Sequence, residues 1–284
     1  MKLRYSIIIA LVFTTLQLSA QSPWTKKQGE GFFKLSEMII VSDQFYSPEG
    51  SIQDIKTAGV YITGLYGEYG LTDRLNVVGF VPFFVRNTIH EQEFAISPNN
   101  EPGDESNSFG DVDLGFNYGI KQDGPFVLSA SLLFGIPSGE TSGGNTEILQ
   151  SGDGEFNQLI RLHAGYSFYP APFYATTSVG FNNRTNGFSD EFRFSLEFGA
   201  AIKQNLFAAL KFGILESFNN GDATASQTGI FSNNTEYVTF GPEVNYFIGK
   251  GFGVSASVFG AFSGQNILAS PAFTLGLVYD LKRK

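Results

Sequence analysis

Cysteine is absent from the 284 residues, which excludes disulfides, thiolate metal sites and a lipid-modified N-terminal cysteine. Histidine occurs only at His90 and His163, so a Ser-His-acid hydrolase has few ways to be built. Long apolar runs are missing too. The opening stretch from Ile7 to Phe13 falls well short of the about 20 residues that a spanning helix needs, and no later stretch exceeds it by enough, so helical membrane insertion is excluded. Basic charge is scarce: 18 Lys and Arg stand against 27 Asp and Glu, which argues against nucleic acid as a partner.

What is present begins with a leader. Lys2 and Arg4, the apolar run, and then Leu18-Ser19-Ala20-Gln21 follow the three-part layout of a secretory signal peptide, with cleavage expected after Ala20. A retained N-terminal anchor is the alternative, and the shortness of the run speaks against it. The expected organisation is residues 1–20 as a cleaved signal peptide and 21–284 as one exported domain. Loss of the leader removes two basic residues and no acid, so the exported chain is more acidic than the −9 of the full sequence.

From Gly31 onward, runs of ten to fourteen residues alternate apolar with small or polar side chains and close on Gly, Pro, Asn or Asp. In Glu191 to Lys203 one parity holds Phe192, Phe194, Leu196, Phe198, Ala200 and Ile202, while the other holds Glu191, Arg193, Ser195, Glu197 and Gly199. Such runs fall near 31–42, 56–69, 75–89, 108–121, 126–137, 155–168, 173–184, 190–203, 205–217, 235–248, 252–262 and 271–281. Registers in the first three are open, because Phe80 to Phe84 is apolar on both parities. Short connections, such as Gly70 to Arg74 and Gln122 to Pro125, are expected to alternate with long polar ones at 43–55, 91–107, 138–154 and 218–234. The pattern predicts an all-β fold, a single antiparallel transmembrane β-barrel of about 12 strands in a bacterial outer membrane. A soluble secreted β-sandwich would also alternate, but its strands run about 5–6 residues and its outer face is rich in Lys and Glu. Phe168, Tyr169, Phe173, Tyr174, Tyr246, Phe247, Phe252 and Tyr279 cluster near strand ends, as interfacial girdles do.

Tyr69-Gly70-Leu71-Thr72-Asp73-Arg74-Leu75, Gly79-Phe80-Val81-Pro82-Phe83, Phe109-Gly110-Asp111-Val112-Asp113-Leu114-Gly115 and Phe134-Gly135-Ile136-Pro137-Ser138-Gly139 resemble the outer-membrane proteins grouped as the "MetA pathway of phenol degradation" family. The resemblance implies an outer-membrane channel or transporter linked to hydrophobic or aromatic compounds, and it carries over no functional residue. Thr274, Gly276, Tyr279 and Leu281 also resemble the terminal signal by which barrel-assembly machinery recognises its clients, followed here by the basic tail Lys282-Arg283-Lys284.

Charges on the predicted lumen parity are the candidate functional residues, since polar groups inside a barrel tune what passes. They are Asp113, Lys121, Arg161, His163, Arg184, Glu191, Arg193, Glu197, Lys211 and Glu243. A three-residue turn at Lys203-Gln204-Asn205 sets Glu197 opposite Lys211, where an ion pair would form. These charges either select solutes or only brace the wall. His90 beside Glu91 invites a lipid-hydrolase reading, although no serine motif pairs with it. Glu91, Glu93, Glu101, Asp104 and Glu105 offer carboxylates for cations that bridge lipopolysaccharide, with a solvated loop as the alternative. Gly143-Gly144 lacks the flanking strand and helix of a phosphate-binding loop. No cofactor is expected. The expected partners are outer-membrane lipid and lipopolysaccharide, the assembly machinery and a small-molecule solute. Transport is the leading expectation, ahead of a structural or adhesive barrel with partner-binding loops and of a barrel-embedded lipid hydrolase.

Overall fold

The computed structural model describes residues 22–91, 102–222 and 232–282. Its strands in chain order are β1 (Gly31–Tyr46), β2 (Ile52–Gly70), β3 (Leu75–Ile89), β4 (Asp104–Ser108), β5 (Val112–Lys121), β6 (Phe126–Ile136), β7 (Asn157–Ser167), β8 (Phe173–Asn183), β9 (Glu191–Lys203), β10 (Leu206–Ser217), β11 (Glu236–Gly249), β12 (Phe252–Gln265), β13 (Ile267–Leu268) and β14 (Ala272–Asp280). Twelve of them make the wall. The short β4 and β13 only extend it, pairing with the far ends of β3 and β1. β1 pairs with β2 on one side and with β14 on the other, so the antiparallel sheet closes on itself. Closure gives every spanning strand a partner on both sides and leaves no edge exposed to hydrocarbon.

Side-chain alternation sets the inside and the outside. On β7, Ile160 and Leu162 are 55% and 57% exposed, whereas Arg161 and His163 between them are 5% and 3% exposed. A greasy outer face with charge turned inward is the reverse of a soluble barrel and is the arrangement of one immersed in lipid. The tight connections β2–β3, β5–β6, β7–β8, β9–β10 and β11–β12 share one end, the periplasmic end by the usual rule for such barrels, and the long connections share the outer end.

β3 explains why its parity could not be read. Thr63 of β2 pairs with Phe84 and Leu65 with Val81, so one residue of β2 faces two of β3. At this bulge the buried parity changes from Val78 and Phe80 to Val85 and Asn87, and both Phe83 and Phe84 turn outward. Pro82 has no N–H to give the ladder, and bulges are where a strand tolerates it.

Several sequence expectations are corrected. Most of 43–55 is strand, because β1 and β2 run on as a hairpin that turns only at residues 47–51, and long and short connections therefore do not alternate strictly. The end of the expected loop 91–107 is strand as well, since residues 104–108 pair with β3 as β4. Beyond the hydrocarbon, polar residues still form a ladder although nothing demands apolar parity, so the alternation signal disappears while the strand continues. Tyr174 and Phe247 are not girdle residues. Tyr174 meets Trp24 and Phe247 packs edge-on to Phe207 with 7% of its surface exposed, whereas Phe173 and Phe252 are 55% and 60% exposed.

Candidate functional site

The lumen has two unlike walls. On β1, β2, β3 and β14, Met38, Ile40, Val60, Ile62, Tyr66, Val78, Phe80, Val85 and Ala272 form one buried apolar cluster that Leu268 joins. The wall from β5 to β11 carries most of the charges; Lys34 of β1 and the buried Glu68 of β2, which accepts from the Tyr66 hydroxyl, lie on the other side. Each wall follows from which residues occupy the inward parity of its strands.

Near the periplasmic end, Lys211 of β10 stands directly opposite Glu197 of β9, with Nζ 3.4 Å from its carboxylate. The same Nζ lies 3.2 Å from Glu243 of β11, and Lys34 of β1 reaches past β14 and β12 to within 3.5 Å of Glu243. Tyr174 donates its hydroxyl to Glu197 at 2.6 Å. Its ring lies over Gly199, where a Cβ would come 2.0 Å from Cζ, so only glycine lets the ring reach the carboxylate.

Toward the outer end, Arg184 lies just past β8 rather than on it. Its guanidinium meets Asp153 at 2.7 Å, Glu155 at 2.8 Å and Glu191 at 2.9 Å. Arg193 closes on Glu191 at 2.6 Å. Asp113 faces inward from β5, and Arg193 and Arg161 attract it. Burial pushes Asp153, in the connection after β6, up to about 6 against the opposing pull of Arg184. Lys121 is elsewhere: a register shift beside Gly119 turns it to the periplasmic surface, where it donates to the carbonyl of Phe126 at 3.1 Å.

A segment that the sequence reading did not single out enters the bore. Residues 22–26 fold in from the periplasmic end with Pro23 buried. Asn117 Nδ2 donates to the carbonyl of Ser22 at 3.0 Å, Gln122 Nε2 donates to that of Pro23 at 2.9 Å, and Gln122 Oε1 accepts from the Thr25 amide at 3.0 Å. The Trp24 ring meets Tyr174 edge-on at 5.8 Å. The return to β1 passes so close to β2 that a Cβ at Gly70 would come 2.1 Å from the Lys27 carbonyl. The only signal in the sequence was a lone Trp beside Pro between leader and first strand.

Two cavities flank the packed middle. One of about 410 Å3 lies beside Trp24, Phe32, Tyr174, Glu197, Lys211 and Glu243. The other, of about 440 Å3, lies at the outer end between β1–β3 and residues 148–150.

His163 and Ser131 form the nearest approach to a catalytic pair, with Ser131 Oγ 2.8 Å from Nε2, but they are buried in the lumen away from outer-leaflet lipid. His90 is exposed at the end of β3 and donates its amide to the Thr57 carbonyl at 2.9 Å. Of the acids considered for cation bridging, Glu93 and Glu101 lie outside the described residues, Glu105 pairs with Arg86 at 2.8 Å, and Asp104 is taken up by the connection after β6.

The family described as "Putative MetA-pathway of phenol degradation" matches residues 48–276. A sequence comparison with curated proteins finds no match. Among solved structures, an outer membrane channel from Pseudomonas putida F1 is similar at a TM-score of 0.65 and 14% identity, covering 91% of this chain and 98% of that one. The translocator domain of the autotransporter NalP from Neisseria meningitidis is similar at a TM-score of 0.52 and 9% identity, covering 89% of each chain. These likenesses establish the architecture, a closed outer-membrane barrel of twelve strands.

Proposed function

Because the chain belongs to the MetA-pathway of phenol degradation family, we propose that it is an outer-membrane channel for the passive passage of small molecules, hydrophobic or aromatic ones among them. One observation carries this reading. The apolar cluster on the lumen side of β1–β3 adjoins the outer cavity through Val60 and Leu268, and Phe32, which packs against the cluster, lines the inner one. A barrel needs no greasy interior to stand in a membrane, where polar lumens are the norm. An apolar strip that links the two ends is what an apolar solute requires. The similar channel from Pseudomonas putida F1 supports the same reading.

In this reading residues 1–20 are removed on export, the terminal strand is recognised by assembly machinery, and outer loops contact lipopolysaccharide. The lumen charges hold the wall and pass solutes without chemistry on them. The test uses purified protein in planar bilayers and in liposomes. Discrete conductance steps, together with faster uptake of small aromatic solutes than of sugars of equal size, are expected. A barrel that is electrically silent and admits neither solute refutes the proposal.

A further inference from the structure

The two charge clusters of the lumen differ in how tightly they close. Around Arg184 and Arg193 the four ion pairs close at 2.6–2.9 Å, the length of charge-assisted hydrogen bonds. Around Lys211 and Lys34 the three contacts are 3.2, 3.4 and 3.5 Å. The longest is the one ion pair that Lys34 makes among the described residues, although its ammonium carries three donors. These groups are not sealed off. The side chains of Lys34, Lys211, Glu243 and Glu197 are 14%, 12%, 15% and 19% exposed. The last three line the inner cavity of about 410 Å3, and Lys34 adjoins it at Glu243. Its stem crosses β14 at Gly276, where a Cβ would crowd Lys34 Cε at 3.2 Å, so the fold leaves room for this reach.

The charges here cancel. Two carboxylates meet two ammonium groups, and Lys26, 5.6 Å from the centre of the Phe32 ring, is balanced by Glu68, which it attracts. Trp24, Phe32 and Tyr174 add three rings to the same lining. We propose that the inner cavity is a binding site for a zwitterion with a bulky apolar side chain, an α-amino acid in chemical class. Its carboxylate takes the open donors of Lys34, its ammonium turns to Glu243 and Glu197, and its side chain lies against the three rings. A solute of net charge of either sign would leave one charge uncompensated in a confined, balanced array. A zwitterion keeps the sum at zero and supplies the short contacts that the array lacks. The proposal rests on the transport reading for its purpose, whereas its test reads binding alone.

The full exported chain in lipid nanodiscs is dialysed at pH 7 against four compounds of one ring system, with empty nanodiscs as the blank. They are tryptophan, a zwitterion; indole-3-propionate, an anion; tryptamine, a cation; and 3-ethylindole, which is neutral. Saturable binding of one tryptophan per barrel, about tenfold tighter than each of the others, is expected. Thr176→Trp fills the cavity from its wall and should abolish that binding. Lys34→Met should shrink the preference over tryptamine, and Glu243→Gln the preference over indole-3-propionate. Heat-modifiable migration on gels identifies folded barrels, and if Thr176→Trp does not fold the two charge variants decide. Any other probe binding as tightly as tryptophan, no saturable binding, binding untouched by a folded Thr176→Trp, or a ranking unchanged in both charge variants overturns the proposal. Conductance without tryptophan binding removes this site alone. Binding of the expected kind in a barrel that neither conducts nor admits solutes upholds the site and removes the transport reading.

Discussion

On β1, Met38 and Ile40 point into the lumen and Leu35, Ile39 and Val41 face outward, which places Glu37 on the lipid side. Thr63, directly opposite on β2, donates its hydroxyl to the Glu37 carboxyl, and Leu275 on the other flank is 66% exposed. An acidic side chain on the lipid face of a barrel costs less than the about 2–4 kcal/mol of a mid-membrane Arg or Lys, yet it still costs. Glu37→Leu should therefore stabilise the barrel by about 1 kcal/mol, seen as a higher urea midpoint at unchanged slope in lipid vesicles. A lower midpoint would contradict the assignment of Glu37 to the lipid face. Arg184 is the opposite case. Its three carboxylate partners include Glu155, whose side chain is fully buried; Asp153 and Glu155 gain their main counter-charge from this one guanidinium, whereas Glu191 is also held by Arg193. Breaking such a network strands charge, so Arg184→Met should lower stability by about 3–5 kcal/mol in the same assay. Arg184→Lys should recover only part of it, because an ammonium cannot offer the planar fork. An unchanged midpoint in Arg184→Met would show that the cluster is solvated.

The connection between β6 and β7 is held to β4 by Asp104. Its carboxylate accepts from the Thr146 hydroxyl at 2.5 Å and from the amides of Asn145 and Thr146 at 2.9 and 2.8 Å. The Thr146 hydroxyl bond, then the Asn145 and Thr146 amides, hold its carboxyl down at about 2. A depressed carboxyl stabilises the fold above its ordinary value of about 3.9 and loses that contribution as pH falls through the folded value. Pepsin cleavage within 139–150 should therefore rise as pH drops from about 4 to about 2. Asp104→Asn should already be susceptible at pH 4, and equal protection of both proteins would dismiss the latch. Elements of this barrel differ in how plainly they could be read. β7 and β9 have uninterrupted parity, so inside and outside follow from residue order; the turn after β9 is two residues long, with Lys203 paired to Leu206, and a bulge at Leu206/Phe207 restores the expected register of Glu197 against Lys211. β3 hides its parity behind the Pro82 bulge, and the outer ends of β1 and β2 lose theirs once lipid no longer constrains them. Lys34 joins the charge cluster only because closure brings β1 near β11, a property of the completed ring. The segment in the bore was least legible, since bonds that seat it, at Asp73, Asn117 and Gln122, join residues 48 to 99 positions apart.

That segment decides how the whole molecule behaves, because it occupies the periplasmic end of a bore whose wall is otherwise continuous. Residues 22–26 form no strand there and are seated by hydrogen bonds to the side chains of Asn117, Gln122 and Glu68 and to the Asp73 carbonyl, by the Trp24–Tyr174 ring contact and by Lys26 over the Phe32 ring. At about 1 kcal/mol net for each such bond, the seat is worth only a few kcal/mol, against spanning strands with full ladders on both sides. Displacement of the segment is thus the lowest-energy way to widen the bore without unzipping the wall. Trp24→Ala combined with Gln122→Ala removes the ring contact and two of the bonds, about 2–3 kcal/mol, which multiplies the displaced population by roughly 30- to 150-fold. Conductance in planar bilayers should rise and long-lived closures should shorten, while Arg86→Ala, at an exposed outer ion pair, leaves both unchanged. The urea midpoint should move little in either protein, since neither change touches a ladder. Identical conductance in the double variant and the parent would mean that ions bypass Trp24, and the narrowest point would then lie among Met38, Val78 and Phe80 in the packed middle.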